Sequence, residues 1–294
     1  MKSIKSKRLG NFLLCWTFIS NLLLVSVPLS AENLRQSDKN TSVLELFQIK
    51  GDLTQGSAII GKLPADGELW LNDQPVTTTP QGDFFIGFGR DAELVQTLAF
   101  KQKDAAKIEQ TLTLSKREYR LQKVNGVPQK TVNPDPESLA RIREENALVD
   151  QARNVVSDLQ YFLDKFKAPM DAPISGVYGS QRIYNGEPKR PHFGVDYAGP
   201  VGAPVYSPAS GKVTLTHNDM FYSGGTLVID HGYGVSSSFL HLSEILVKEG
   251  QIVKQGDLIA RVGQGGRATG PHLDWRMNWH DVRIDPLKVL EIYQ

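Results

Sequence analysis

The sequence predicts a mostly β protein: a small amino-terminal β-sandwich-like domain, a long connecting helix, and a carboxy-terminal antiparallel β domain. Three observations predict it. Short apolar runs of alternating pattern, closed by Gly, Asn, Asp or Pro, fill residues 43–125. The same kind of pattern, now rich in glycine at the turns, fills residues 170–294. Between them, residues 134–168 carry apolar side chains at a seven-residue spacing, which is helical.

The elements follow in chain order. Residues 1–31 read as a secretory signal peptide: Lys2, Lys5, Lys7 and Arg8 precede an apolar run from Phe12 to Val27, Pro28, Ser30 and Ala31 follow, and the composition turns polar at Glu32. The rival is an uncleaved anchor, for which the run is short, since a spanning helix takes ~20 apolar residues. Either way the chain is expected to be exported. Removing the segment takes away four basic residues and no acid, so Lys+Arg falls from 33 to 29 against 32 acidic residues, a charge near −3. Neither that nor the full chain's formal charge of +1 is a basic footprint, so nucleic acid is not an expected partner. The single cysteine, Cys15, lies in the apolar run, so the processed chain has no thiol for a disulfide, a nucleophile or a metal ligand. Any metal must be held by His, Asp or Glu.

Residues 32–42 are polar and read as a linker. In the first β domain, Ser57–Gly61, Glu68–Asn72, Asp83–Gly87, Thr97–Lys101 and Gln110–Ser115 are predicted strands, with turns at Asp66-Gly67, Asn72-Asp73 and Gln81-Gly82. This domain contains no histidine and reads as a spacer or docking module. Asp135 is a predicted helix N-cap with Pro136 and Glu137 in the first turn. Ile142, Val149, Val156 and Leu163 form one row, and Ala152, Leu159 and Phe166 a second, which predicts a helix from Pro136 to Lys167. Glu145 interrupts the second row, so packing on a neighbouring domain is preferred to a coiled coil. In the last domain the predicted strands are Pro204–Ser207, Gly211–Thr216, Thr226–Asp230, Val235–Leu240, Gln251–Val253 and Leu258–Val262.

The chemistry-bearing residues cluster in this last domain. His192 and Asp196 lie in a stretch predicted to be irregular, between Pro191 and Gly199-Pro200. His272 and Asp274 are two apart, which on a strand places both on one face. His241 ends an alternating run, and the hydroxyls of Ser236 and Ser238 share its face if that alternation holds. If these segments converge, one metal can take His192, Asp196 and a group from the third, with the remaining histidines beside an open position. His217, His231 and His280 read as having no catalytic duty; His231 looks like a hairpin residue, and His280 lies beyond the last predicted strand.

Ordered matches carry a family resemblance over the same region. They are His192-Phe-Gly-Val-Asp-Tyr-Ala198, Gly202-Ala-Pro-Val205, Ala209-Ser-Gly-Lys-Val213, Asp230-His-Gly-Tyr-Gly234, Phe239-Leu-His-Leu-Ser243, Gly250-Gln-Ile-Val-Lys-Gln-Gly256 and Gly266-Arg-Ala-Thr-Gly-Pro-His272. The segment from about Ser175 to Leu287 resembles the LytM/lysostaphin-type peptidoglycan zinc metalloendopeptidases. The resemblance implies a Zn2+ hydrolase that cuts peptidoglycan stem peptides in the periplasm, with cell-wall or membrane-associated regulatory partners. It implies that His192 and Asp196 are zinc ligands and that His241 and His272 are catalytic. At Asp274 the family usually has its third ligand, a histidine. Aspartate is also a zinc ligand, but a second carboxylate takes the metal and its ligands from +1 to near zero and weakens the Lewis acid. The chain is similar to a proteobacterial branch with the same His-Leu-Asp-Trp motif, in which Asp274 would be a branch trait.

Two other readings compete. Zinc-free relatives in the family activate cell-wall hydrolases instead of cutting, but they have no use for His241 and His272, and both are present. The stretch from Ile245 to Ile259 resembles the strands of biotinyl and lipoyl carrier domains, but the chain has no Met-Lys-Met or Asp-Lys-Ala hairpin to modify.

Overall fold

The computed structural model describes residues 47–64, 67–103, 106–126 and 132–293. The predicted signal peptide and linker lie outside these. Among the described residues no helix is long and apolar enough to cross a membrane.

The amino-terminal unit consists of two small sheets. In one, β1 (Ala58–Lys62) pairs with β4 (Asp83–Gly87). In the other, β2 (Gly67–Leu71), β3 (Gln74–Val76), β5 (Val95–Gln102) and β6 (Ile108–Thr113) run in the order β3-β2-β5-β6. Asn72 and Asp73 both take positive φ, 49° and 63°, and turn β2 into β3 as a two-residue hairpin loop demands. Asp66, in the first predicted turn, lies outside the described residues. Alternation along β1 and β4 buries both faces of that pair. Ile59, Phe84 and Ile86 pack with Leu69, Leu98 and Phe100 of the second sheet. Ala58 and Phe85, on the opposite face, join Phe162, Trp275 and Ile284 in the core of the carboxy-terminal domain.

The connecting helix is shorter than predicted. α1 (Pro136–Arg153) begins as expected, with Asp135 accepting a hydrogen bond from the Ser138 N–H, but it stops fourteen residues short of Lys167. The reason is tertiary. Asn154, Val155, Val156, Ser157 and Asp158 are all weak helix formers. The Ser157 hydroxyl donates to Asp230 at 2.6 Å, and its carbonyl accepts from the Tyr233 N–H at 3.0 Å. The chain leaves the helix to make these bonds and resumes as a single 3-10 turn at Tyr161–Leu163, which sinks Phe162 into the core. The seven-residue spacing thus spans two segments, and Val156 is 53% exposed. Glu145, which broke the predicted stripe, is instead anchored: it accepts from Arg141 at 2.6 Å and from the Phe221 N–H at 2.8 Å.

The carboxy-terminal domain is built on β8 (Ile174–Gly176), β11 (Val195–Ala198), β13 (Gly211–Met220), β14 (Gly224–Gly232), β15 (Val235–Ile245), β16 (Ile252–Val253) and β18 (His272–Trp279), in the sheet order β16-β13-β14-β15-β18-β11-β8. β12 (Pro204–Tyr206) joins through β17 (Leu258–Val262), and β19 (Val282–Ile284) pairs with β18, followed by the short helix α2 (Pro286–Glu291). A separate small sheet joins the two halves of the chain: β7 (Leu121–Val124) runs parallel to β9 (Gln181–Tyr184), which pairs with β10 (Glu187–Pro188).

Two local expectations change. Asp196 lies on strand β11, not in an irregular stretch; four residues between glycines were too few for alternation to show. His280 lies in the turn between β18 and β19, not beyond the last strand.

Candidate metal centre

β18 lies between β11 and β15, and its register sets the site. Asp274 pairs with Asp196 on one side and Leu240 on the other. Side chains at paired positions share a face, so the two carboxylates project together. His272, two residues before Asp274, projects with them. His192 precedes β11, where its N–H donates to the Ser180 carbonyl at 2.9 Å and its own carbonyl accepts from the Gly179 N–H at 2.7 Å. Its Nε2 stands 2.9 Å from Asp196 Oδ1 and 3.4 Å from Asp274 Oδ2. Ligand atoms of His192, Asp196 and Asp274 all lie within 4.8 Å of one another, and all three residues are buried.

His241 reaches this face by a break in the pleat. Leu240 is on the carboxylate face through its pairing with Asp274, so strict alternation would send His241 to the opposite face with Phe239. His241 instead takes φ 65°, and Phe239 and Leu242 pair with Leu227 and Gly225, which puts an extra residue into β15. This β-bulge re-aims the side chain. The imidazole comes to lie beside His272, with ring centroids 4.8 Å apart. By alternation His241 is expected on the face of Ser236 and Ser238, but strict alternation separates an odd position from even ones. The bulge, not alternation, brings His241 to their face, where the buried serine hydroxyls have no hydrogen-bond partner among the described residues.

The two histidines are held in one tautomer. His241 Nδ1 is 2.8 Å from the Gly265 carbonyl, and His272 Nδ1 is 2.8 Å from the Gly270 carbonyl. A carbonyl only accepts, so each Nδ1 carries the proton, and in the neutral form of each ring the lone pair is on Nε2. Burial, more than any other influence, pushes the His241 pKa down to about 4, so that ring is neutral across the physiological range. Burial also opposes charge on His192, but Asp274 and Asp196 outweigh it and raise its pKa. The Asp274 carboxyl is pushed up by burial and, more strongly, down by Arg276 and His192, so it stays well below the usual range.

Two arginines that sequence reasoning did not single out stand behind the carboxylates. Arg182, on β9, donates from Nη2 to Asp196 Oδ2 at 2.6 Å. Arg276 donates from Nε to Asp274 Oδ1 and Oδ2 at 3.0 and 3.1 Å, and from Nη2 to Oδ2 at 2.6 Å. Arg276 was findable, because it sits two residues past Asp274 on a strand and so shares its face. Arg182 had no local signal. Two glycines make room: a Cβ on Gly176 would lie 2.1 Å from Asp196 Oδ2, and one on Gly194 2.3 Å from Asp274 Oδ1.

The donor set passes a test for a metal. His192 Nε2 and Asp196 Oδ1 are buried and stand 2.9 Å apart, but neither makes a well-aligned hydrogen bond among the described residues. Orphaned buried polar atoms are costly, and a divalent cation would satisfy both. One imidazole and two carboxylates form a nitrogen and oxygen set suited to zinc. His217 and His280 stay apart from the cluster. His231 is a structural residue, with Nδ1 2.7 Å from the Ser210 carbonyl and Nε2 2.9 Å from the Ser237 hydroxyl. Burial pushes its pKa from 6.5 down to about 4. A folded pKa below the unfolded one means that the unfolded chain binds more protons, so stability falls as pH drops through 6.5 toward 4. The difference between wild type and His231→Asn in urea titrations should therefore change by about 2–3 kcal/mol between pH 7 and pH 4.5; parallel pH dependence in the two proteins would refute this.

Three buried donors flanked by two histidines of fixed tautomer make a site of the metallohydrolase class. Residues 190–286 match peptidase family M23, so the chain carries a peptidase family M23 domain. The chain is 46% identical over 98 residues to the peptidoglycan DD-endopeptidase ShyB of Vibrio cholerae, a match covering 33% of this chain and 23% of that protein. It is 47% identical over 87 residues to ShyA of the same organism, covering 30% and 20%. The chain thus matches about a quarter or less of the length of these relatives. A solved structure of a Pseudomonas aeruginosa protein assigned to peptidase M23 superposes with a TM-score of 0.65 at 27% identity, covering 85% of this chain and 99% of that one.

Proposed function

We propose that this protein is a zinc-dependent endopeptidase that hydrolyses peptide crosslinks in peptidoglycan. The observation that carries the reading is the convergence of the orphaned His192 Nε2 and Asp196 Oδ1 with Asp274, beside two imidazoles whose Nε2 lone pairs are free. His192, Asp196 and Asp274 would hold the metal. Bound zinc supplies Lewis acidity, polarising the scissile carbonyl and making water more acidic. Nε2 of His241 and of His272 is then available to take a proton from the attacking water, pass it to the leaving amine and hydrogen-bond the developing oxyanion. Their Nδ1–H bonds to Gly265 and Gly270 keep both rings oriented through that transfer.

The substrate class follows from the relatives, which are named as peptidoglycan DD-endopeptidases. A stem-peptide crosslink ending in D-Ala is the proposed bond and the periplasm the proposed location, reached by the export segment read at residues 1–31. The purified protein is expected to release soluble muropeptides from sacculi, to stop when chelated and to resume when zinc is restored. Mass analysis of the fragments identifies the bond. Zinc-loaded protein that leaves sacculi intact would instead favour a regulator of other hydrolases.

A further inference from the structure

We propose that Asp274 and Arg276 act as one unit, a carboxylate ligand with its own built-in counter-charge, standing where a neutral imidazole would otherwise serve; the inference rests on the zinc reading above. Three hydrogen bonds join the pair, and the aspartate side chain is only 2% exposed. Both residues lie on β18 with one residue between them, so strand geometry alone holds the guanidinium behind the carboxylate. The space is cut to fit. Gly194 faces the pair, and a Cβ there would meet Asp274 Oδ1 at 2.3 Å and the Arg276 Cγ at 2.7 Å.

Charge gives the pair its purpose. Two carboxylates cancel a divalent cation, whereas one carboxylate and two imidazoles leave a positive unit that polarises substrate. Paired with Arg276, Asp274 adds no net charge, as a neutral imidazole would add none; Arg182, on Asp196, contributes a further positive charge to the site. Asp196 has a guanidinium of its own, Arg182 on Oδ2 at 2.6 Å, and Asp274 is the carboxylate that Arg276 hydrogen-bonds. Asp274 is the stronger counter-charge on Arg276 and Asp196 a weaker one, while Arg153 and Arg267 lie nearby with its own sign. Without Asp274, Arg276 loses its hydrogen-bonded counter-charge beside the metal position and keeps only the weaker influence of Asp196.

The test is a double-mutant cycle read by zinc competition against a chromophoric chelator, with sacculus digestion measured alongside. Arg276→Gln should keep zinc within a few-fold of wild type, because the carboxylate remains, while digestion falls about 10–100-fold, the usual effect of losing a ligand's hydrogen-bonded partner. Arg276→Lys, which keeps the charge, should recover most of the digestion. Asp274→His alone should weaken zinc about 10–100-fold, and Asp274→His/Arg276→Gln should regain most of that loss. Wild-type affinity in Asp274→His, or a double variant as weak as Asp274→His, would overturn the pairing. Should Asp274→His fail to fold, the Arg276 variants decide: wild-type digestion by Arg276→Gln also overturns it. A wild-type protein that binds no zinc would remove the ligand reading itself, an outcome distinct from these.

Discussion

His241→Ala is expected to bind zinc at wild-type stoichiometry and to lose about 10²–10⁴-fold in the rate of sacculus digestion, the range for removing a positioned acid–base group. His241 lies outside the three-donor cluster, so the metal should not notice its loss. Its contribution is a lone pair on Nε2, kept free by the bond from Nδ1 to the Gly265 carbonyl, on a ring that burial keeps neutral. Alanine also suits the αL backbone at φ 65° less well than the bulge requires, so the variant's melting temperature must be measured beside its activity. Metal analysis and digestion together decide the role. Undiminished digestion would remove His241 from the mechanism, and lost zinc would move it into the ligand set.

Asp274→Ala should lose the metal and destabilise the protein at once. Removing one of three donors should weaken zinc by more than the 10–100-fold typical of losing a ligand's partner, so at least about 100-fold. The same change takes from Arg276 the partner of all its side-chain hydrogen bonds among the described residues, with only a quarter of its own side chain exposed. Breaking one side of such a pair costs on the order of 3 kcal/mol. Metal-free Asp274→Ala should therefore unfold at a lower urea concentration than metal-free wild type. Full zinc occupancy in the variant would rule out aspartate as a ligand.

Much of the site was legible because strand periodicity carries over short distances. His272 and Asp274 on one face followed from spacing alone, and so would Arg276 have followed had the same rule been extended by two residues. Long-range register was not legible: nothing local says that Asp196 stands opposite Asp274 or that β9 delivers Arg182. The bulge at His241 was hidden as well, since Phe239-Leu-His-Leu reads as plain alternation and a positive φ at histidine has no sequence marker. In the fold, caps were visible and ends were not. Asp135 starts α1 as expected, but the helix stops where Ser157 finds Asp230, a partner 73 residues away.

The β1–β4 pair changes what the amino-terminal unit is. A strand pair buried on both faces is a shared wall between two rooms, with Ala58 and Phe85 belonging to one and Ile59, Phe84 and Ile86 to the other. Cutting the chain between the two halves would not yield two independent particles. It would open the wall and leave Phe162, Trp275 and Ile284 without their cover. The boundary that is clear along the sequence is not a boundary in space, and the half with the candidate metal centre owes part of its core to residues that carry no chemistry.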